Sequence, residues 1–180
     1  VLDLSFLNPF IAALSLRICS VSTTKFSLFL LSSCFKKDDF ESTPEIEFQS
    51  FDIFGDTAVL TISFQDGEGD IGLEPDQLEP PFDLNSPYHY NLFLKYYEKV
   101  DGQGWQPGLD LSGQPIVFRN RLRPIYTGKP KSIKGTIEYT IEPVFYNVLS
   151  ADNDTIKYEI MLVDRALNES NWIETGTIIR

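Results

Sequence analysis

Histidine is nearly absent: the 180-residue chain has one, His89. That removes most zinc sites and most histidine-based catalysis. Cysteine occurs twice, so no disulfide framework holds the fold together. Glycine and proline stand at 11 each, too few for a low-complexity or collagen-like chain. No apolar run reaches about 18 uninterrupted residues, which argues against a membrane-spanning helix. Basic residues are in deficit: 15 Lys and Arg against 26 Asp and Glu give a net charge of −11. Such a surface repels phosphate backbones and excludes nucleic acid as a natural partner.

What remains is an ordinary globular composition, 42% hydrophobic and 23% charged. The exception is the start. Residues 1–33 hold only the charges Asp3, Arg17 and Lys25. Lys25 is followed by the apolar run Phe26-Ser27-Leu28-Phe29-Leu30-Leu31, then by small residues before Cys34. A positive residue, a short apolar core and small residues are the order of a secretory signal. The alternative is a buried helix with Cys34 as an ordinary thiol. Ser and Thr at 20–24 and 32–33 argue against it, because they compete for backbone hydrogen bonds in helix interiors.

Beyond Phe35 the pattern alternates with period two, the mark of half-buried strands. Thr57 to Phe64 sets Ala58, Leu60, Ile62 and Phe64 on one face. Ile133 to Glu142, Thr155 to Val163 and Tyr88 to Val100 alternate in the same way. Glu45 to Ile53 slips phase at Gln49-Ser50, which predicts a bulge. Gln114 to Arg119 and Trp172 to Ile179 are weaker candidates. Seven short strands with turn signals between them and no convincing helix predict an all-β, antiparallel β-sandwich of the immunoglobulin kind. A small β-barrel is the competing architecture.

Two stretches carry a family resemblance. Leu31-Ser32-Ser33-Cys34 resembles the lipobox of bacterial lipoproteins, and Phe35-Lys36-Lys37-Asp38-Asp39-Phe40-Glu41 resembles the charged segment that follows it in surface lipoproteins of Bacteroidota. Asp164-Arg165-Ala166-Leu167-Asn168-Glu169-Ser170 resembles the last hairpin of bacterial fibronectin-III-like and Ig-like domains, with Leu167 where those have glycine. The resemblance implies removal of residues 1–33, lipidation of Cys34, a tether over 34–44 and a β-sandwich domain over 45–180. It implies attachment to the outer membrane or cell surface through the lipid. In an Ig-like topology the long B–C loop, Gln65 to Pro87, lies at the same end as the F–G loop, Asp164 to Asn171. Loops of that length are usually functional or disordered.

Gln65-Asp66-Gly67-Glu68-Gly69-Asp70-Ile71-Gly72 is the most distinctive run. Carboxylates at i, i+2 and i+4 alternate with glycines that let the backbone fold and the side chains converge. Converging carboxylates repel one another unless a cation lies between them, and calcium takes oxygens from such flexible loops. The run is not an EF-hand: counting from Asp66, Ile71 stands where glycine is required and Gln77 where glutamate is. The metal set is therefore Asp66, Glu68 and Asp70, completed by Asp164, Asn168 or Asn171. The competing reading is a solvated acidic turn whose side chains bond their own backbone.

Other candidates are weaker. His89 reads as a surface-strand residue between Tyr88 and Tyr90. Glu138 and Glu142 would stand about 13 Å apart along a strand, beyond glycosidase spacing. Arg119, Arg121 and Arg123 read as an exposed, charged edge. Trp105 and Trp172 are candidate stacking residues for a glycan or peptide. Thr57 and Thr155, each after an aspartate, resemble short O-glycosylation sites of exported Bacteroidota proteins. The sequence predicts a non-enzymatic interaction or structural module of the cell envelope. The alternative is a glycan- or peptide-binding module of an outer-membrane uptake system.

Overall fold

The computed structural model describes residues 40–125, 128–129 and 131–180. Cys34, the lipobox-like run and most of the tether lie outside them. The described chain is all-β, with two antiparallel sheets and no α-helix. The first sheet holds β1 (Glu45–Phe54), β2 (Thr57–Asp66) and β6 (Ile133–Ile141), in the order β1-β2-β6. The second is centred on β3 (Leu92–Val100) and β7 (Thr155–Leu162). On one side β3 pairs with β4 (Gly104–Pro107) and β5 (Val117–Asn120); on the other, β7 pairs with β8 (Ile173–Glu174) and β9 (Ile178–Ile179).

Among the described residues, nine strands replace the seven expected. Gly104–Pro107 is too short to show a period, and the last predicted strand is broken at Gly176, whose φ is +73°. The bulge expected at Gln49 is present, as a register shift between Phe48 and Ser50. The predicted strand Tyr88 to Val100 starts only at Leu92. Ser86 accepts the Tyr88 N–H and Pro87 follows it, which bends Pro87–His89 into one turn of 3-10 helix.

The period-two pattern builds the core. Ala58, Leu60, Ile62 and Phe64 of β2 pack toward Leu92, Leu94 and Tyr96 of β3 and Ile156, Tyr158, Ile160 and Leu162 of β7. Two separate sheets sharing this core make a β-sandwich rather than a barrel. The register places the ends. Glu45 pairs with Gln65, Asp66 with Ile133 and Leu92 with Leu162. Arg165 N–H donates to Asp70 O and Asn171 is bonded to Ile46 across the sheets, so the start of β1 and the ends of β2 and β7 share one end of the sandwich.

The long connection after β2 is packed rather than loose. Ile71, Leu73 and Phe82 are buried along it. Leu73 N–H donates to Leu122 O, and Ile125 N–H donates to Ile71 O. Arg121, expected on an exposed edge, is half-buried and gathers the loop by donating to the carbonyls of His89, Gln77 and Glu74, at 2.6, 2.6 and 3.1 Å.

Candidate metal centre

The centre starts as a pattern in β2. Its inward positions run Ala58, Leu60, Ile62, Phe64, and the next is Asp66. A carboxylate thus stands where the strand rhythm places a core residue, and it is 0% exposed. The chain then turns on that side chain: Asp66 Oδ2 accepts the N–H groups of Gly69 at 2.6 Å and Asp70 at 3.0 Å. Gly69 has φ +71°, and a Cβ there would run into the Lys131 carbonyl. Gly67 donates its N–H to Glu41 O at 2.8 Å, and a Cβ on it would collide with the Phe40 and Glu41 carbonyls. The segment leading into β1 is therefore tied to this loop.

Asp164 comes from the connection after β7 and is 1% exposed. Asn168 orients it, with its backbone N–H to Oδ1 and its side-chain amide to Oδ2, both at 2.8 Å. Two contacts fasten the connections together. Arg165 N–H donates to Asp70 O at 3.2 Å, and the Arg165 guanidinium donates to Gly72 O at 3.0 and 3.2 Å.

Asp66, Asp70 and Asp164 each bring a carboxylate oxygen within 4.8 Å of the others. Oxygens on opposite sides of one calcium ion stand about 4.6–5.2 Å apart, so a single ion can touch all three. Asp66 Oδ1 and Asp70 Oδ1 are buried and accept no hydrogen bond. Leaving such oxygens unsatisfied costs on the order of 1–3 kcal/mol each. Burial, then the charges of Asp164, Asp66 and Glu68, push the Asp70 carboxyl up from 3.8 to about 6; only the Ala166 N–H opposes them. Asp164 is also raised, chiefly by burial, against its two hydrogen bonds from Asn168. The donors are hard carboxylate oxygens from two strand connections, a set that suits calcium or magnesium better than zinc.

Of the predicted ligands, Asp66, Asp70 and Asp164 come together. Glu68 is exposed and stands outside the group, because β2 ends at Asp66 and the chain bends at Gly67 and Glu68. Asn168 presents its amide N–H to Asp164 and so positions that carboxylate. Asn171 is used elsewhere: its side chain accepts from Ile46 N and donates to Ile46 O, both at 2.9 Å, stitching β1 to the strand-connecting segment before β8. Nothing in the sequence spacing marked that role.

The remaining candidates are scattered. His89, expected on a surface strand, is 8% exposed, with Nδ1 at 3.0 Å from Phe82 O. Glu138 and Glu142 are both exposed. Trp105 is half-buried on β4, with Lys157 Nζ 5.4 Å from its ring centre. Trp172 is 43% exposed, with Lys95 Nζ 3.7 Å from its ring centre. Thr57 donates its hydroxyl to Phe54 O, and Thr155 pairs with Ile179.

No family model and no curated protein matches the sequence. Among solved structures the chain is similar to wild-type OgpA from Akkermansia muciniphila, at 12% identity and a TM-score of 0.38. The match covers 80% of this chain and 30% of that one, so the chain spans about a third of that protein's length.

Proposed function

We propose that this chain is a non-enzymatic interaction module of the bacterial cell envelope. Its fold is an Ig-like β-sandwich of the fibronectin-III kind, it is anchored by a lipid on Cys34, and a calcium ion fastens one end. The strand order supports the fold type: β1-β2-β6 against β4 and β5, β3, β7, then β8 and β9 follows the A-B-E and C′-C-F-G arrangement of such domains. The lipobox-like run supports the anchor. An inward-turned His89 and exposed, separated Glu138 and Glu142 support a non-catalytic role.

The observation that carries the calcium reading is the wholly buried Asp66, whose Oδ1 accepts no hydrogen bond and whose carboxylate is grouped with those of Asp70 and Asp164. Calcium-binding extracellular modules have dissociation constants of about 0.1–1 mM. At about 2 mM calcium, mass action stabilises the fold by roughly 0.6–1.8 kcal/mol. That corresponds to a melting shift of about 1–7 °C for a domain of this size. Calorimetry with calcium and then with chelator tests it. An unchanged melting temperature leaves the cluster as an acidic turn.

The second reading, ligand binding, is favoured by one observation: Trp172 stays exposed on the outer face of the second sheet. On either reading, intact mass and detergent partitioning check the anchor. A Cys34→Ala protein that still partitions with membranes would sink it.

A further inference from the structure

A cleft of about 630 Å³ opens between the β3–β4 hairpin and the connections around Leu109 and Asn147. It lies away from the aspartate cluster: the start of β3 pairs Leu92 with Leu162, whereas Glu98, which lines the cleft, pairs with Ile156. The charged residues lining it are Glu98 and Asp110, and no cation does so among the described residues. Glu98 continues the inward rhythm of Leu92, Leu94 and Tyr96, so a carboxylate again stands where the strand pattern places a core residue. It is 6% exposed. Its Oε2 accepts the Ser150 hydroxyl at 2.7 Å, and its Oε1 accepts no hydrogen bond. The Tyr96 hydroxyl lies beside this carboxylate and accepts the Asn147 N–H at 3.1 Å. Arg180, whose charge reaches Tyr96, is committed to Asn153 Oδ1 at 2.7 Å and to the face of Tyr146, 4.0 Å from its ring centre. Glu98 is therefore a buried carboxylate with no cation partner among the described residues, an arrangement that desolvation penalises until a cation reaches it.

The rest of the lining selects the cation. Glu98 belongs to no group of converging carboxylates, which disfavours a divalent metal. Leu109, Leu111 and Leu149 border the cleft and are all exposed. They match the apolar stem of a cationic side chain and apolar residues beside it. Gln106 stands opposite Glu98 across the β3–β4 pair. Its Nε2 donates to Gln103 O at 3.1 Å, which leaves its Oε1 as an acceptor. With Ser150 already on Oε2, Glu98 has one fully open oxygen. That suits a compact ammonium better than the two-armed arginine fork. The last torsion of a glutamate is broad, so either oxygen can turn to the ligand.

We propose that this cleft receives a lysine side chain of a partner protein, on a segment with apolar residues beside the lysine. The ammonium pairs with Glu98 and Gln106, and the apolar neighbours cover Leu109, Leu111 and Leu149. The inference rests on the interaction-module reading and names its partner class. It needs neither the calcium ion nor the lipid.

The test is fluorescence anisotropy of the full chain with a labelled peptide Ser-Leu-Lys-Leu-Ser. The expected result is saturable binding below about 1 mM. Binding should weaken at least tenfold when norleucine replaces the lysine, and several-fold when arginine does. Glu98→Gln keeps the side chain's shape and an acceptor for Ser150, and should also weaken binding at least tenfold, with the melting temperature unchanged or raised. A lysine drawn only by the net charge of −11 would not register the loss of one carboxylate. Leu149→Ser changes an exposed side chain and should weaken binding several-fold with the fold intact. Equal binding by either variant, by the norleucine peptide or by the arginine peptide, or no saturation, overturns the proposal. So does n-butylamine displacing the peptide at comparable concentration, which gives the cleft to free amines. The calcium melting shift is measured in parallel. Absence of peptide binding with that shift intact overturns this inference alone.

Discussion

Leu167 has a φ of +71°, where a Cβ crowds the following carbonyl. Fibronectin-III-like hairpins with glycine at this place avoid that cost. The position is held by the turn itself, in which Asp164 N–H donates to Asn168 O and Leu167 N–H to Asp164 O. Leu167→Gly is expected to raise stability by about 0.5–1 kcal/mol in denaturant titration, strain relief outweighing the added freedom of the unfolded chain. Asp70 gives a sharper test. Its carboxyl titrates near 3.8 when unfolded and at about 6 when folded, so the folded state holds the proton more tightly. Without calcium, this contribution to stability is complete below about pH 3.8 and is lost as pH rises through about 6. The shift is worth about 3 kcal/mol at most, and solvent screening of this partly exposed group reduces it to about 1–1.5 kcal/mol. Asp70→Asn is therefore expected to be more stable than the parent in chelator at pH 7, and to lose the calcium-induced melting shift. A purely structural acidic turn predicts no calcium term in either protein.

Elements differ in how much of them could be read beforehand. Strands β1, β2, β3, β6 and β7 are buried on one face and solvated on the other, so their sequences alternate. β4, β8 and β9 span at most four residues, too few for a period to register, and β5 is short enough to be weak. Asp66 and Asp70 were visible as acids among glycines. Glu68 was assigned with them only by continuing the strand alternation past Asp66, where β2 ends and the chain bends at Gly67 and Glu68. Asp164 is far from both in sequence and became a candidate through loop adjacency in the fold. Arg121 could not be read, because its partners are backbone carbonyls, which any residue supplies. These interactions make the long connection an element in its own right. Gly72 has φ +100°, and a Cβ there would collide with the Arg123 carbonyl. Gly72→Ala is expected to cost about 2 kcal/mol or more, read as a lower urea midpoint. Arg121→Lys keeps the charge but loses the fork that reaches three carbonyls. It should cost about 1–3 kcal/mol and make the stretch from Glu74 to His89 cleavable by protease under native conditions.

At the scale of the molecule, the sandwich has a stiff middle and one acid-laden end. β3 and β7 are paired over most of their length and contribute Leu94, Tyr158 and Ile160 to the core, each with no exposed surface. The end with Asp66, Asp70 and Asp164 is also where β1 begins, and Gly67 is bonded to Glu41 just before it. A cation there ties the connection after β2 to the connection after β7 without touching the central strands. Its effect on local opening should therefore be uneven. Hydrogen exchange is expected to slow on calcium addition at Gly69 to Leu73 and Asp164 to Asn168. Amides of β3 and β7 that open only by global unfolding should gain no more than the global stabilisation of roughly 0.6–1.8 kcal/mol. Local opening of the two connections abolishes the site, so their amides should carry the calcium dependence even where the global term is small. Uniform slowing across every strand would mean that the ion acts only through global unfolding, and slowing confined to other loops would place it elsewhere on the acidic surface.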